Sequence, residues 1–188
     1  MEVARKNNRK EYIISATEPM ALSMIQLGDK EGGLKLFAEG KDAIIKAFEK
    51  QPDFNNANNA YSFLGNYMGS LLSAKRYEEA RKLIPDLLYV TKKLEEVENS
   101  VEGFVEYRQI NTYGLLMSYY DATGDIKESE KYLAKIQKSK LAGMLFVESH
   151  VSDHYYNVKD VKRLAEITAR IRKNALATND TISELFID

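Results

Sequence analysis

The stretch "INTYGLLMSYYDATGDIKESEKYLAKI", residues 110–136, decides the fold class. Apolar and aromatic residues recur in it at intervals of three and four, which is the spacing of one face of an α-helix. Thr123, Gly124 and Asp125 interrupt this pattern; glycine suits the end of one helix, and aspartate suits the N-cap of the next. The stretch therefore predicts two helices joined by a tight turn.

Three further stretches have the same organisation, and alternating strand-like segments are absent. Their turns are predicted near residues 28, 75 and 158, so that the four turns are about 47, 49 and 34 residues apart, within the range of helical repeats. We expect an all-α chain with helix hairpins over residues 11–51, 58–99, 104–139 and 141–177. A further helix is expected to start within 178–188.

Two of these units resemble the tetratricopeptide repeat (TPR) family. Residues 113–129, "YGLLMSYYDATGDIKES", match its repeat, with Ser129 where the family prefers alanine. Residues 71–80, "LLSAKRYEEA", match its turn and its packing residue Ala80. The resemblance implies that residues 1–188 form a single domain, an α-α superhelix (TPR-like solenoid) of about four hairpins. It also implies a groove lined by the first helix of each hairpin.

The last ten residues, "NDTISELFID", carry a capping box, Thr181 followed three residues later by Glu184. A helix that opens this late suggests a chain cut from a longer protein. A native terminus that folds back on the last hairpin is the alternative.

The composition excludes several classes of function. The chain has 27 basic and 28 acidic side chains, which argues against a nucleic-acid surface. It has no cysteine, no apolar run of membrane-spanning length and no nucleotide-binding, hydrolase or calcium-binding motif, so we predict no cofactor, no membrane insertion and no enzyme. A soluble, cytoplasmic protein is expected, or a periplasmic one if it belongs to a sensor.

Both histidines of the chain lie in "ESHVSDHYYN", residues 148–157. His150 and His154 have the spacing that places two metal ligands on one helical face, and Asp153 could supply a third. In zinc proteases, however, a glutamate directly follows the first histidine, and here Val151 stands there. We therefore interpret the pair as polar residues of a repeat helix and predict no metal site; zinc remains the alternative.

Small and hydrogen-bonding residues recur opposite the apolar stripes of the predicted first helices. In a solenoid these residues could read a bound peptide through side-chain hydrogen bonds, although close helix packing explains small residues equally well. The candidate groove residues are Ser62, Asn66, Ser73, Asn111, Ser118, Asp121, His150, Asp153 and Asn157.

One peptide-binding mode of the TPR family is not expected here. In that family, a clamp of lysine, arginine and asparagine holds a C-terminal carboxylate. Asn66 stands at a plausible asparagine position, but no basic residue shares the corresponding faces of the first three hairpins.

Two functions follow from the sequence. The first is a non-enzymatic scaffold that binds a peptide or partner domain in the groove. The second is the sensory or regulatory repeat region of a larger bacterial signalling protein, a sensor kinase or transcription regulator. Pairing of two chains at an unfinished repeat edge would give a homodimer.

Overall fold

Helices account for nearly all of the backbone that the structure describes. The computed structural model describes the backbone of residues 10–97 and 103–178 and the side chains of 16–97 and 103–174. Within these ranges it contains eight helices and no strand, which confirms the all-α prediction. The predicted capping box at Thr181 and Glu184 lies outside the described residues.

The helices pair in chain order as four hairpins, two in each of two units, residues 1–102 and 103–188. Their bounds are α1 Lys10–Gln26, α2 Lys30–Lys50, α3 Phe54–Ser73, α4 Tyr77–Leu94, α5 Phe104–Thr123, α6 Ile126–Gln137, α7 Leu145–Asn157 and α8 Val161–Thr178. The odd-numbered helix is the first helix of each hairpin.

All four hairpins turn with the same backbone geometry. One residue adopts a positive φ, and the amide of the next residue donates to the carbonyl five residues earlier, at 2.9–3.0 Å, which ends the first helix as a Schellman motif. The positive-φ residues are Gly28 (100°), Lys75 (58°), Gly124 (81°) and Lys159 (61°). These turns lie at or next to the predicted positions.

The residue after the positive φ begins the second helix. In three hairpins it is an aspartate whose carboxylate accepts a hydrogen bond from the amide three residues later: Asp29 from Gly32 at 2.9 Å, Asp125 from Glu128 at 3.2 Å and Asp160 from Arg163 at 3.0 Å. Each carboxylate therefore satisfies one of the free amides of the first helical turn. In the second hairpin Arg76 takes this position without a side-chain cap.

In the first unit, α3 packs against both helices of the preceding hairpin. Phe37 of α2 lies at the centre, edge-on to Phe63 and stacked on Tyr67, with ring centroids 5.2 Å apart in both pairs. All three side chains are buried, so these contacts join the two hairpins through one apolar core.

The second unit repeats this arrangement, with α7 against both α5 and α6. Its core draws one stripe of apolar side chains from each of the four helices: Ile110, Met117, Leu133, Ile136, Val147, Val151, Tyr155 and Ile167. No helix in the described part of the chain is both long and apolar enough to cross a membrane.

The shared turn geometry predicts opposite effects for two glycine substitutions. Lys75→Gly should raise the free energy of unfolding by about 0.5 kcal/mol, because glycine adopts a positive φ without steric cost. Lys82→Gly, at an exposed position inside α4, should lower it by about 1 kcal/mol. Urea unfolding followed by circular dichroism measures both; a loss of stability in Lys75→Gly would contradict the turn geometry.

Candidate functional site

In the first unit, two of the predicted groove residues bind a carboxylate of the neighbouring first helix. Ser62 Oγ and Asn66 Nδ2, both on α3, donate to Glu18 Oε1 of α1 at 2.9 and 2.6 Å. These polar side chains therefore join two first helices. Ser73, the third predicted residue of this unit, is exposed at the end of α3.

In the second unit, His150 of α7 lies flat against α5. Its Nε2 donates to Asn111 Oδ1 at 3.0 Å, since an amide oxygen only accepts. Gly114 makes room for the ring, because a Cβ at that position would lie 2.4 Å from His150 Nδ1. Burial lowers the pKa of His150 below its usual value of 6.5, and the negative charge of Asp153 opposes this only in part.

One helical turn later, His154 belongs to a buried polar network. Its Nδ1 lies 3.0 Å from Asp121 Oδ1 of α5 and 3.0 Å from Ser129 Oγ of α6. The Ser129 hydroxyl also donates to Asp121 Oδ1. His154 and Ser129 are 2% and 0% exposed, and the Asp121 side chain is fully covered. The network therefore ties three helices together through groups that water does not reach.

Serine, histidine and aspartate are the residue types of a hydrolytic triad, but their arrangement here does not fit one. A catalytic histidine holds aspartate at one ring nitrogen and takes the serine proton at the other. In this network Asp121 and Ser129 face the same nitrogen of His154. The geometry suits a structural hydrogen-bond network.

The two histidine side chains also have separate sets of neighbours. His150 contacts Asn111, whereas His154 contacts Asp121 and Ser129. Within residues 10–97 and 103–178, no group of three or more histidine, aspartate or glutamate side chains has a spacing suited to a metal ion. The donor set therefore gives the zinc alternative no support.

The remaining predicted groove residues lie on different helices and are not joined to these networks. Ser118 is half-buried on α5, and Asn157 is exposed at the end of α7. Asp153 is exposed on α7, where it faces a cleft.

This cleft runs between α7 and α8 and has a volume of about 550 Å³. Among the described residues, three apolar side chains and three hydroxyl groups form its walls, and Asp153 supplies a carboxylate. The wall residues are Leu145, Phe146, Ser149, Ser152, Thr168 and Ile171. We call it the α7–α8 cleft. Its size and mixed lining are typical of a recognition site.

In the part of the chain that the structure describes, Asp153 is the one charged side chain that lines the α7–α8 cleft. Among the described residues it makes no hydrogen bond and no ion pair. Although its side chain reaches solvent, the cleft walls displace part of its hydration, and this desolvation raises the pKa of its carboxyl group; His150 opposes the rise.

A second, smaller cleft of about 380 Å³ lies elsewhere in the same unit, beside the ion pair of Glu148 and Arg170. Glu148 is 6% exposed and accepts from Arg170 Nε at 3.1 Å and from Nη2 at 2.6 Å. This bidentate pair neutralises the buried carboxylate and joins α7 to α8. The two charges of this pair therefore balance one another within the hairpin.

Several site residues were not found from the sequence. Glu18 and Ser129 complete the polar contacts. No sequence pattern pointed to Glu18, and Ser129 was noted only because the TPR family prefers alanine at that position. The α7 wall of the α7–α8 cleft did show a pattern, because Leu145, Ser149 and Ser152 follow one another at helical spacing, on a helix face that continues to Tyr156. Leu145 and Tyr156 are 42% and 62% exposed, which marks this face as apolar and open.

The buried network predicts a loss of stability when its acceptor is removed. Asp121→Ala should lower the free energy of unfolding by about 1–3 kcal/mol, because Ser129 and His154 lose the oxygen to which they donate. Glu130→Ala, at an exposed position of α6, is the matched control and should change it by less than about 0.5 kcal/mol. Equal effects in urea unfolding would contradict a structural role for the network.

Burial of His150 predicts a pH dependence of stability. Because the folded chain favours the neutral ring, this stabilisation is complete above pH 6.5 and is lost as the pH falls below 6.5 toward the lower pKa of the folded state. His150→Gln should therefore lose less stability than the wild type between about pH 7 and 5.5. Urea unfolding at several pH values measures this; parallel curves for the two proteins would contradict it.

No protein-family model matches the chain, nor does any curated protein or solved structure compared with it. The resemblance to the TPR family therefore rests on the residues of the chain itself. Function is inferred from the α7–α8 cleft and the side chains that line it.

Proposed function

We propose that the protein is a non-enzymatic interaction scaffold that binds a peptide or partner domain. The observation that carries this proposal is the α7–α8 cleft, in which apolar walls surround a carboxylate that has no hydrogen-bond or ion-pair partner among the described residues. Among the residues first assigned to a concave groove, five use their polar groups to join neighbouring helices, and Asp153 faces the cleft. The α7–α8 cleft is therefore the better candidate for recognition.

The finer fold that we propose is a TPR-like superhelix. Two observations support it. All four hairpins reverse through one residue with a positive φ at the same position of the turn, and α3 and α7 each pack against both helices of the preceding hairpin. Solenoids are built in this way, from units that contact their immediate neighbours.

The lining of the cleft favours a polypeptide ligand. Leu145, Phe146 and Ile171 offer the apolar contacts that anchor side chains of a bound helix or extended segment. The hydroxyl groups of Ser149, Ser152 and Thr168 add hydrogen-bonding positions. Ser149 and Thr168 donate to backbone carbonyls of their own helices, so they offer a ligand their acceptor oxygens. Among the described residues, the lining contains no histidine, cysteine or lysine.

A displayed peptide library tests this function. Selection on the full chain should enrich peptides that bind with dissociation constants of about 1–100 μM, measured by fluorescence anisotropy. Ser149→Trp places a large ring in the cleft and should weaken binding by at least about tenfold, a loss of roughly 1.4 kcal/mol.

Ala134→Trp is the matched control, since it adds the same ring to an exposed position on α6, and it should leave the affinity unchanged. Circular dichroism melts check that both variants fold. Failure to enrich any binding peptide would overturn the scaffold function. Enriched peptides that bind both variants as well as the wild type would overturn the assignment to the cleft.

A further inference from the structure

The polar contacts between neighbouring first helices have a common order. In each one, the acceptor lies on the earlier helix and the donor on the later one. Glu18 of α1 accepts from Ser62 and Asn66 of α3. Asn111 and Asp121 of α5 accept from His150 and His154 of α7. In each unit, the earlier first helix (α1 or α5) thus offers an acceptor to the first helix that packs on it.

Asp153 is a further acceptor on a first helix, but no helix of the described chain supplies its donor. It lies on α7, which is the last first helix described, and it faces the α7–α8 cleft together with Leu145 and Ile171. Among residues 16–97 and 103–174, no donor contacts its carboxylate. The same face therefore combines exposed apolar surface with an unused acceptor, as an open helix-packing surface would.

We propose that the α7–α8 cleft binds an amphipathic helix of a partner protein that presents a lysine or arginine to Asp153. This inference rests on the proposed scaffold function and names the chemistry of its partner. Apolar residues of the bound helix, three or four positions from the cation, contact Leu145, Phe146 and Ile171. The cation pairs with the carboxylate at the rim and selects the partner by charge.

Charge argues against two occupants, the C-terminal segment and a second copy of the chain. Residues 179–188 contain three acidic side chains and no basic one, so they would bring like charge to Asp153. A second copy that used the same face would oppose the two Asp153 carboxylates across a twofold axis. A basic helix from another protein avoids both conflicts.

Three synthetic 18-residue amphipathic helices, identical except for one central lysine, glutamine or glutamate, test the inference by fluorescence anisotropy with the full chain. The lysine peptide should bind about tenfold more tightly than the glutamine peptide, and the glutamate peptide should bind most weakly. Asp153→Lys should reverse the order, so that the glutamate peptide binds most tightly.

Glu130→Lys is the matched control, because it makes the same change of charge at an exposed position on α6 and should keep the wild-type order. An order that Asp153→Lys leaves unchanged overturns the inference, as does failure of all three peptides to bind. Charge-independent binding that Ser149→Trp abolishes overturns the inference but supports the scaffold function, which the peptide library tests separately.

Sedimentation velocity tests the second copy as occupant. A monomer at all concentrations is the result expected. A concentration-dependent dimer that Asp153→Lys dissociates would assign the cleft to self-association and overturn the inference.

Discussion

Each hairpin depends on one residue that reverses the chain in the left-handed conformation. That residue lets the following amide reach back five positions, so the first helix ends and the second begins within two residues. The short reversal holds the two helices antiparallel, with their apolar stripes facing one another. Where glycine stands at this position, the backbone adopts a positive φ easily; Lys75 and Lys159 adopt it at a cost that the surrounding packing must offset.

Within this frame, polar side chains decide how hairpins join. An apolar stripe alone leaves the register of two helices loosely specified. A buried donor specifies it more closely, because the folded state loses stability when the donor has no acceptor within hydrogen-bond distance. Two contacts therefore set the position of α7 on α5: the packing of the His150 ring on Gly114, and the hydrogen bond between His154 and Asp121. Asp153 is exposed and has no such partner among the described residues, and this difference underlies the proposal that a further helix binds there.

The helices and their turns could be predicted from the sequence, because helical spacing and turn residues act over a few positions. The polar residues of the first helices could also be identified, but not their role. Asn66 and His150 were expected to face a ligand, and they bind side chains 48 and 39 residues away instead. Local spacing carries no information about partners at that distance, and it did not reveal Glu18 at all.

The sequence by itself therefore determined an all-α chain of helix hairpins, since hydrophobic periodicity and the residues at each turn are local properties. Only the tertiary structure decided which polar side chains are used within the protein and which remain open to a partner. The reason is physical: a donor's contribution depends on whether packing brings an acceptor within about 3 Å, and that distance is set by the whole unit. In the second unit, packing paired both histidines and left Asp153 beside an open cleft.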